Sequence, residues 1–400
     1  MVTHSVQKRR TGLALVGLGG AVGSTVAAGL HLIRSGASEA HGLPLAGRAL
    51  RGAPDYADLA VAGWDLDGSP LSEAVGSHKV LAPDLAARAA PELSRITPWP
   101  AFHNSRYCRP MRQSHVMAAN SLRAAAAQMR EDLDRFQDQR RLDSVVVVNL
   151  GSTERAANPD SACLSSLDAF EDGLDRNDPD ISAGMLYAYA AAGSGRPFVN
   201  FTPSQAADIA PIEALARAHG APLAGKDGKT GQTLVKTALA PALRDRALRV
   251  EGWYSTNLLG NLDGYVLDDP DSRASKIGAK RSVLDQILGY TVDNHIINIC
   301  YHPPKGDMKE AWDSIDLAGF LGQPMQMKIN FLCADSILAA PLVIELARLC
   351  DIAQQRGLSG CIREFAVFFK SPQGFNGAPP EHAFHAQQAM LDAWLARHAQ

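Results

Sequence analysis

The stretch Gly17-Leu-Gly-Gly-Ala-Val-Gly23 constrains the fold of this chain more than any other. An apolar run, Leu13-Ala-Leu-Val16, leads into it, and a helical pattern over residues 24–34 follows. Glycine is needed where a strand turns sharply into a helix, and where backbone N–H groups must approach a phosphate at that helix's positive end. The arrangement predicts the first strand–helix unit of a parallel, doubly wound sheet. Its spacing, G-x-G-x-x-x-G, is one residue longer than the common dinucleotide fingerprint, with Val22 where the third glycine would fall. Two readings stand at this point: a pyrophosphate-binding turn, or a tight structural turn that holds no ligand. A dinucleotide also needs an acidic partner for its adenine ribose. Asp65, after Gly63-Trp64 and with Asp67 behind it, is the best placed.

The rest of the composition narrows the class. A length of 400 residues allows two to three domains, each able to bury a core. Lys+Arg 39 against Asp+Glu 42 gives a net charge of −3, which disfavours a general nucleic-acid or anionic-membrane binder but leaves room for a local basic pocket. Six scattered cysteines with no Cys-x-x-Cys pair read as reduced thiols, hence a cytoplasmic protein. Lys8-Arg9-Arg10 ahead of the uncharged residues 12–30 superficially resembles a secretion signal. Six glycines in that span argue against a signal helix, since each helix-interior Gly costs about 1 kcal/mol. The apolar helix expected after Cys333 carries Asp335, Glu345 and Arg348, so it reads as a core helix and not a membrane span.

Up to about residue 230, apolar runs alternate with helical patterns: strands over 13–16, 61–64, 144–148 and 197–201, helices over 117–139, 183–192 and 204–219. Residues 87–115, with Pro91, Pro98, Pro100 and Pro110, read as an excursion with little regular structure, and the acidic residues 158–182 as a solvated cap. After about 235 the strands grow longer and more alternating (247–256, 295–302, 325–331), which predicts a second domain with an open sheet. From 335 the chain returns to helix, then a strand over 364–369 that would complete the first sheet.

Gly228-Lys229-Thr230 is not a P-loop, because Leu223 stands where its first glycine belongs. What survives is a helix start at Thr230, Gly231, Gln232 and Thr233 whose free N–H groups make either a phosphate seat or a plain cap on Thr230. Lys276 and Lys280 share one helix face, Lys309 follows a strand end, and Lys370 ends the apolar run from Phe365. Singly each reads as a solvated lysine; converging, they would form an anion site. No metal site is expected: there is no His-Glu-x-x-His, and the pair His382 and His385 has no third ligand in a suitable pattern.

Taken together and in order, these motifs resemble the myo-inositol-1-phosphate synthase family. The carriers are the glycine turn followed by Ser24-Thr25, Gly63-Trp-Asp65, Gly225-Lys-Asp-Gly-Lys-Thr-Gly-Gln-Thr233, Asn257-Leu-Leu-Gly-Asn-Leu-Asp-Gly264, Ser275-Lys276 with Lys280-Arg-Ser282, Gly306-Asp-Met-Lys309 and Cys333-Ala-Asp-Ser336. The resemblance implies an α/β fold: a Rossmann-type NAD domain built from both chain ends (11–233 plus 338–400), with an inserted α+β catalytic and tetramerisation domain (234–337). It implies cyclisation of D-glucose 6-phosphate to 1D-myo-inositol 3-phosphate: oxidation at C5 by NAD, loss of the acidified C6 proton, closure onto the C1 aldehyde, and re-reduction of C5. Negative charge develops on O5, the enolate and O1, and fixed ammonium groups aimed at those oxygens lower each barrier.

By the same resemblance, Lys276 and Lys370 serve the C5 oxygen, Lys280 and Lys309 steady O1 and the phosphate, and Asp227, Asp263 and Asp335 orient lysines or bind hydroxyls. Thr230, Gly231, Gln232, Thr233 and Asn257 hold the phosphate. Gly17, Leu18, Gly19, Gly20, Ala21, Val22, Gly23, Asp65, Ser152 and Thr202 bind NAD. The partners it implies are a small sugar phosphate and sister copies in a homotetramer, with no nucleic acid and no membrane. The chain departs from the family pattern at Ala21-Val22, at Asn149-Leu-Gly-Ser-Thr-Glu154, at Asn200-Phe-Thr-Pro203, and at Leu258 and Leu262. Those positions surround the cofactor and the sugar. Two rival activities therefore remain: the same chemistry on another sugar phosphate, and a plain NAD-dependent sugar or polyol dehydrogenase.

Overall fold

The computed structural model describes residues 9–108, 114–261, 264, 283–373 and 379–399. Six parallel strands come from the first part of the chain: β1 (Thr11–Val16), β2 (Leu59–Asp65), β3 (Trp99–Pro100), β4 (Ser144–Asn149), β5 (Phe198–Asn200) and β6 (Pro222–Gly225). Their spatial order, β6-β5-β4-β1-β2-β3, is that of a dinucleotide-binding sheet, reversing direction beside β1. β1 and β4 are buried along their whole length, as the predominantly apolar central strands of a sheet covered on both faces must be. Close strand approach fixes one glycine: a Cβ on Gly63 would fall 2.0 Å from the Leu15 carbonyl oxygen, and its φ is +154°.

A second, mixed sheet holds β7 (Arg249–Leu259), β8 (Asn294–Tyr301), β9 (Met308–Ala318) and β10 (Pro324–Ala334), ordered β10-β9-β7-β8. β9 runs antiparallel to both its neighbours, and β7 and β8 are parallel. Helix Gly231–Asp245 joins the two sheets, and its Ala240 and Leu243 pack with Trp253, Ile315 and Leu317 of the second. The chain then returns through the helix Asp335–Gln355, whose Val343, Ile344, Leu346 and Leu349 lie in the core beside β1 and β4. It adds the two-residue β11 (Gly360–Cys361) to the free edge of β6. Both chain ends thus build the first sheet. Among the described residues no helix is long and apolar enough to cross a membrane.

Several expected elements differ. The strand expected over 364–369 is a 3-10 helix, Arg363–Phe368, with Phe365, Ala366, Val367 and Phe368 buried, and the first sheet is completed instead by β11. The excursion after residue 87 contains most of the helix Pro83–Leu93, which tolerates Pro91 in its last turn. The acidic cap includes the helix Leu167–Arg176. β9 has no counterpart among the strands expected from the sequence. Its inward positions are Lys309, Ala311, Asp313, Ile315 and Leu317, and two charged residues among five disguise the period-2 pattern.

Candidate active site

The glycine turn is shaped by contacts that leave no space for side chains. The Gly17 and Leu18 N–H groups donate to the Trp64 carbonyl at 2.9 and 3.1 Å, and Gly17 has φ +86°. A Cβ on Gly23 would stand 2.6 Å from the carbonyl oxygens of Gly17 and Leu18, and one on Gly19 would stand 3.2 Å from the Asp65 carboxylate. Asp65 itself accepts the Gly19 N–H at 2.7 Å. Burial pushes its carboxyl upward, against the hydrogen bonds from Asp67, Gly19 and Leu66. The helix Ala21–Arg34 starts from Gly20 with no side-chain cap and no acid in its first turn, so no side chain of its own answers the N–H groups of Ala21, Val22 and Gly23. This cradle, filled if any glycine gained a Cβ and topped by a positive helix end, fits a pyrophosphate with a ribose on Asp65. Leu18 contributes backbone only, because its side chain is wholly buried.

The loop after β4 borders the turn: the Leu150 carbonyl oxygen lies 3.0 Å from a Gly17 Cβ position, which brings half-buried Ser152 to its rim. Thr202 sits deeper. Its hydroxyl donates to Asn200 Oδ1 at 2.9 Å and its carbonyl accepts the Asp227 N–H at 2.9 Å, so it ties the end of β5 to the next loop. Glu154, the last residue of the departing stretch after β4, is buried there, accepts from Ser182 Oγ and the Gly184 N–H at 2.7 and 3.1 Å, and is pushed up to about 6 by burial. It caps the helix Ala183–Gly193 with a carboxylate.

Residues 225–229 and 368–373 are zipped together. The Lys226 and Ser371 N–H groups each donate to the other's carbonyl, the Lys370 N–H donates to the Asp227 carbonyl, and the Lys229 N–H to the Phe368 carbonyl. The pairing delivers Lys370 to Asp227: Nζ and Oδ1 are 2.8 Å apart, with side chains 10% and 4% exposed. Asp227 has φ +62°, and its Oδ2 is buried with no hydrogen-bond partner among the described residues. An orphaned acceptor of that kind fits a ligand hydroxyl. The ring of Phe201 lies on Gly228 so closely that a Cβ there would fall 2.0 Å from its Cζ.

Four residues on, the helix Gly231–Asp245 begins. Thr230 is its N-cap residue yet makes no side-chain cap bond, and the first turn has no acid, so the plain-cap alternative is not realised and the N–H groups remain open. Lys309 Nζ lies 3.7 Å from where a Gly231 Cβ would be, and 3.4 Å from Asp335 Oδ1. Lys309 does not follow a strand end, as the sequence suggested, but occupies the first inward position of β9. Lys370 and Lys309 thus hold the two ends of one short loop, whose four-residue span is at most about 14 Å. Gln232 turns its amide away from the seat. Its Nε2 donates to Asp313 at 3.0 Å and its Oε1 accepts from Asn257 Nδ2 at 2.5 Å, so it offers the seat its N–H and Asn257 acts through it. Asn257 Oδ1 is a second buried acceptor with no partner among the described residues. Lys276, Lys280, Asp263 and Leu262 lie outside the described residues.

Three more side chains, none of them assigned a role from the sequence, complete the surroundings. Asp307 accepts from Ser336 N and Oγ and from Asn261 Nδ2, steadying the start of the helix that carries Asp335. Lys236, one turn beyond Gln232, meets His295 Nε2 at 2.8 Å, and burial pushes it down to about 8. Lys229 is 4% exposed. The lysines were legible as residue types; their burial was not.

Comparison with known proteins gives a consistent family. The family model described as myo-inositol-1-phosphate synthase matches residues 48–396. Inositol-3-phosphate synthase 1 of Bacteroides thetaiotaomicron is 36% identical over 96% of this chain and 95% of its own length. The inositol-3-phosphate synthase of Trypanosoma brucei brucei is 31% identical over 76% of this chain and 60% of its own length. Among solved structures, the inositol-3-phosphate synthase of Caenorhabditis elegans superposes with a TM-score of 0.89 at 25% identity, covering 97% of this chain and 86% of that one. A myo-inositol-1-phosphate synthase-related protein of Thermotoga maritima gives 0.80 at 25% identity, covering 98% of this chain and 100% of that one.

Proposed function

The chain belongs to the myo-inositol-1-phosphate synthase family, and from that premise we propose how its residues divide the work. It is an NAD-dependent isomerase that converts glucose 6-phosphate to inositol 3-phosphate. The observation that carries the assignment of roles is the convergence of Lys309 and Lys370 on the two ends of the loop 227–231. Bound NAD supplies reversible hydride transfer at one sugar carbon. The chain's own residues do the rest. The N–H groups of residues 231–233, the Thr230 hydroxyl and the Lys309 ammonium grip the phosphate, and Lys309 also faces the C1 oxygen as the ring closes. Lys276 and Lys370 serve the C5 oxygen: Lys370, held as an ammonium by Asp227, donates to that oxygen as charge develops on it, and the free amine of Lys276 takes and returns the hydroxyl proton. Asp335 orients Lys309, and Asp227 Oδ2 accepts a sugar hydroxyl. Gripping the phosphate and hydroxyls together brings C1 and C6 of the open-chain sugar into attacking range, an entropic task worth several kcal/mol.

The residue set Gly17, Leu18, Gly19, Gly20, Ala21, Val22, Gly23, Asp65, Ser152 and Thr202 is our proposal for the NAD site, with Leu18 acting through its backbone and Thr202 by shaping the loop. The division into 11–233 plus 338–400 and 234–337 belongs to the same reading, supported by the joining helix Gly231–Asp245 and the returning helix Asp335–Gln355. Purified protein with NAD and glucose 6-phosphate is expected to accumulate inositol phosphate without net NADH. Net NADH would favour the dehydrogenase, and turnover of a different sugar phosphate alone would favour the other carbocycle.

We also propose a cytoplasmic homotetramer that binds neither nucleic acid nor membrane. The face of the second sheet turned away from its core carries Tyr254, Ile296, Met308 and Leu332, between 37% and 56% exposed, an apolar patch that a sister copy would cover. Light scattering is expected to give four copies, and Ile296→Glu with Leu332→Glu to give smaller species. A wild-type monomer would refute it.

A further inference from the structure

Lys229 is a buried amine that the proposed mechanism leaves unused. It precedes the phosphate seat directly, is 4% exposed, and among the described residues has no carboxylate partner. Its Nζ donates to Gln387 Oε1 and lies 5.7 Å from the centre of the Phe384 ring, both on the helix Phe384–His398. The groups that face it offer no counter-charge. His382 is 5% exposed, and burial together with Lys229 pushes it down to about 4, so it is neutral. The Glu381 carboxylate is engaged with the N–H groups of His382 and Ala383 at 2.8 and 2.7 Å. Asp227, on the same loop, is held by Lys370. A buried ammonium facing an amide, an aromatic ring and a neutral imidazole is costly unless its charge is answered elsewhere.

The loop itself indicates where. Residue 229 is two residues from Gly231, so its Cα lies within about 7 Å of the Gly231 Cα and its charge acts on whatever is seated at residues 231–233 through a buried, poorly screened space. We propose that Lys229 is a substrate-linked cation: the phosphate dianion of the sugar, docked at residues 230–233, is its missing counter-charge, and docking draws a proton from solvent onto the Lys229 amine. This rests on reading residues 230–233 as the phosphate seat. In the free protein burial holds Lys229 down to about 7, so near neutral pH a large share of the amine is unprotonated and able to respond. The sign follows: above that value binding must import a proton. Affinity for a dianion therefore falls as pH rises, by up to about tenfold per pH unit, until binding to the neutral form takes over.

The test is calorimetric titration of the NAD-loaded protein with sulfate, a dianion that does not itself titrate, at pH 7.5 in two buffers of different ionisation heat. A companion pH profile of KM for glucose 6-phosphate covers pH 6 to 9. We expect uptake of roughly half a proton or more per site in the wild type. Uptake should vanish in Lys229→Met and persist in Lys236→Met, which removes the other buried amine near the seat. KM should rise from pH 7 to 8 in the wild type and stay flat in Lys229→Met. If Lys229→Met does not fold, Gln387→Leu serves: it strips the amine of its acceptor and should move the midpoint of the KM profile to lower pH. Sulfate binding without proton uptake, uptake that survives Lys229→Met, or a midpoint unmoved by Gln387→Leu each overturns the proposal. Sulfate that glucose 6-phosphate cannot displace would instead overturn the phosphate seat itself. If sulfate does not bind, a wild-type KM that is flat from pH 7 to 8 overturns the proposal.

Discussion

Lys309→Ala is expected to lower kcat/KM for glucose 6-phosphate by about 100- to 1000-fold, with NAD affinity unchanged within error. The magnitude is that of losing one preorganised donor to a developing oxyanion, about 2.7–4 kcal/mol. Lys309 is inward-facing on β9, within reach of both Gly231 and Asp335, so its ammonium is fixed before substrate arrives and needs no reorganisation as charge develops. Alanine removes the charge and leaves the Asp335 carboxylate facing the phosphate seat, which adds repulsion to the loss. Because the glycine turn and Asp65 lie on the other sheet, the cofactor site should be untouched. Steady-state kinetics with a separate NAD titration checks both halves, and activity within threefold of wild type would remove Lys309 from its assigned role.

Lys370→Met is expected to do two things at once. It should abolish measurable turnover, and it should destabilise the fold by about 3–5 kcal/mol, the cost of leaving one member of a buried ion pair without its partner. Asp227, 3% exposed, would keep a carboxylate with Oδ1 newly orphaned beside the already orphaned Oδ2. Adding Asp227→Asn neutralises that charge. The double variant should therefore recover most of the melting temperature while remaining inactive. Recovery of activity along with stability would mean that the pair is structural only. Thermal melts beside product assays separate the two outcomes.

Much of this protein is legible in its residues. A glycine turn states its requirements within seven positions: positive φ at Gly17, no Cβ at Gly23 and an open helix end after Gly20 are all local. The same holds for β4, whose run of valines can only be a strand buried on both faces. These local demands make the parallel sheet, the Asp65 carboxylate and the loop 225–233 legible in the residues alone. Lys309 and Lys370 are legible as candidates too, and the resemblance implies that they converge on one substrate, but not which side chains hold them.

What the residues alone could not decide is which distant groups share a dry space. Asp227 and Lys370 are separated by 143 positions and meet only because backbone pairing zips their segments together. β9 escaped notice because the inward residues Lys309 and Asp313 are charged: its alternation reads as polar until the site and the Gln232–Asp313 contact explain it. Phe201 departs from the resembled family's pattern, and only its contact with Gly228 reveals what it fills. Lys229 looks like any surface lysine until the C-terminal helix covers it. Backbone geometry is a short-range property and is written in neighbouring residues; desolvation and charge pairing are set by whatever the fold brings alongside, and for those the tertiary structure had to be seen.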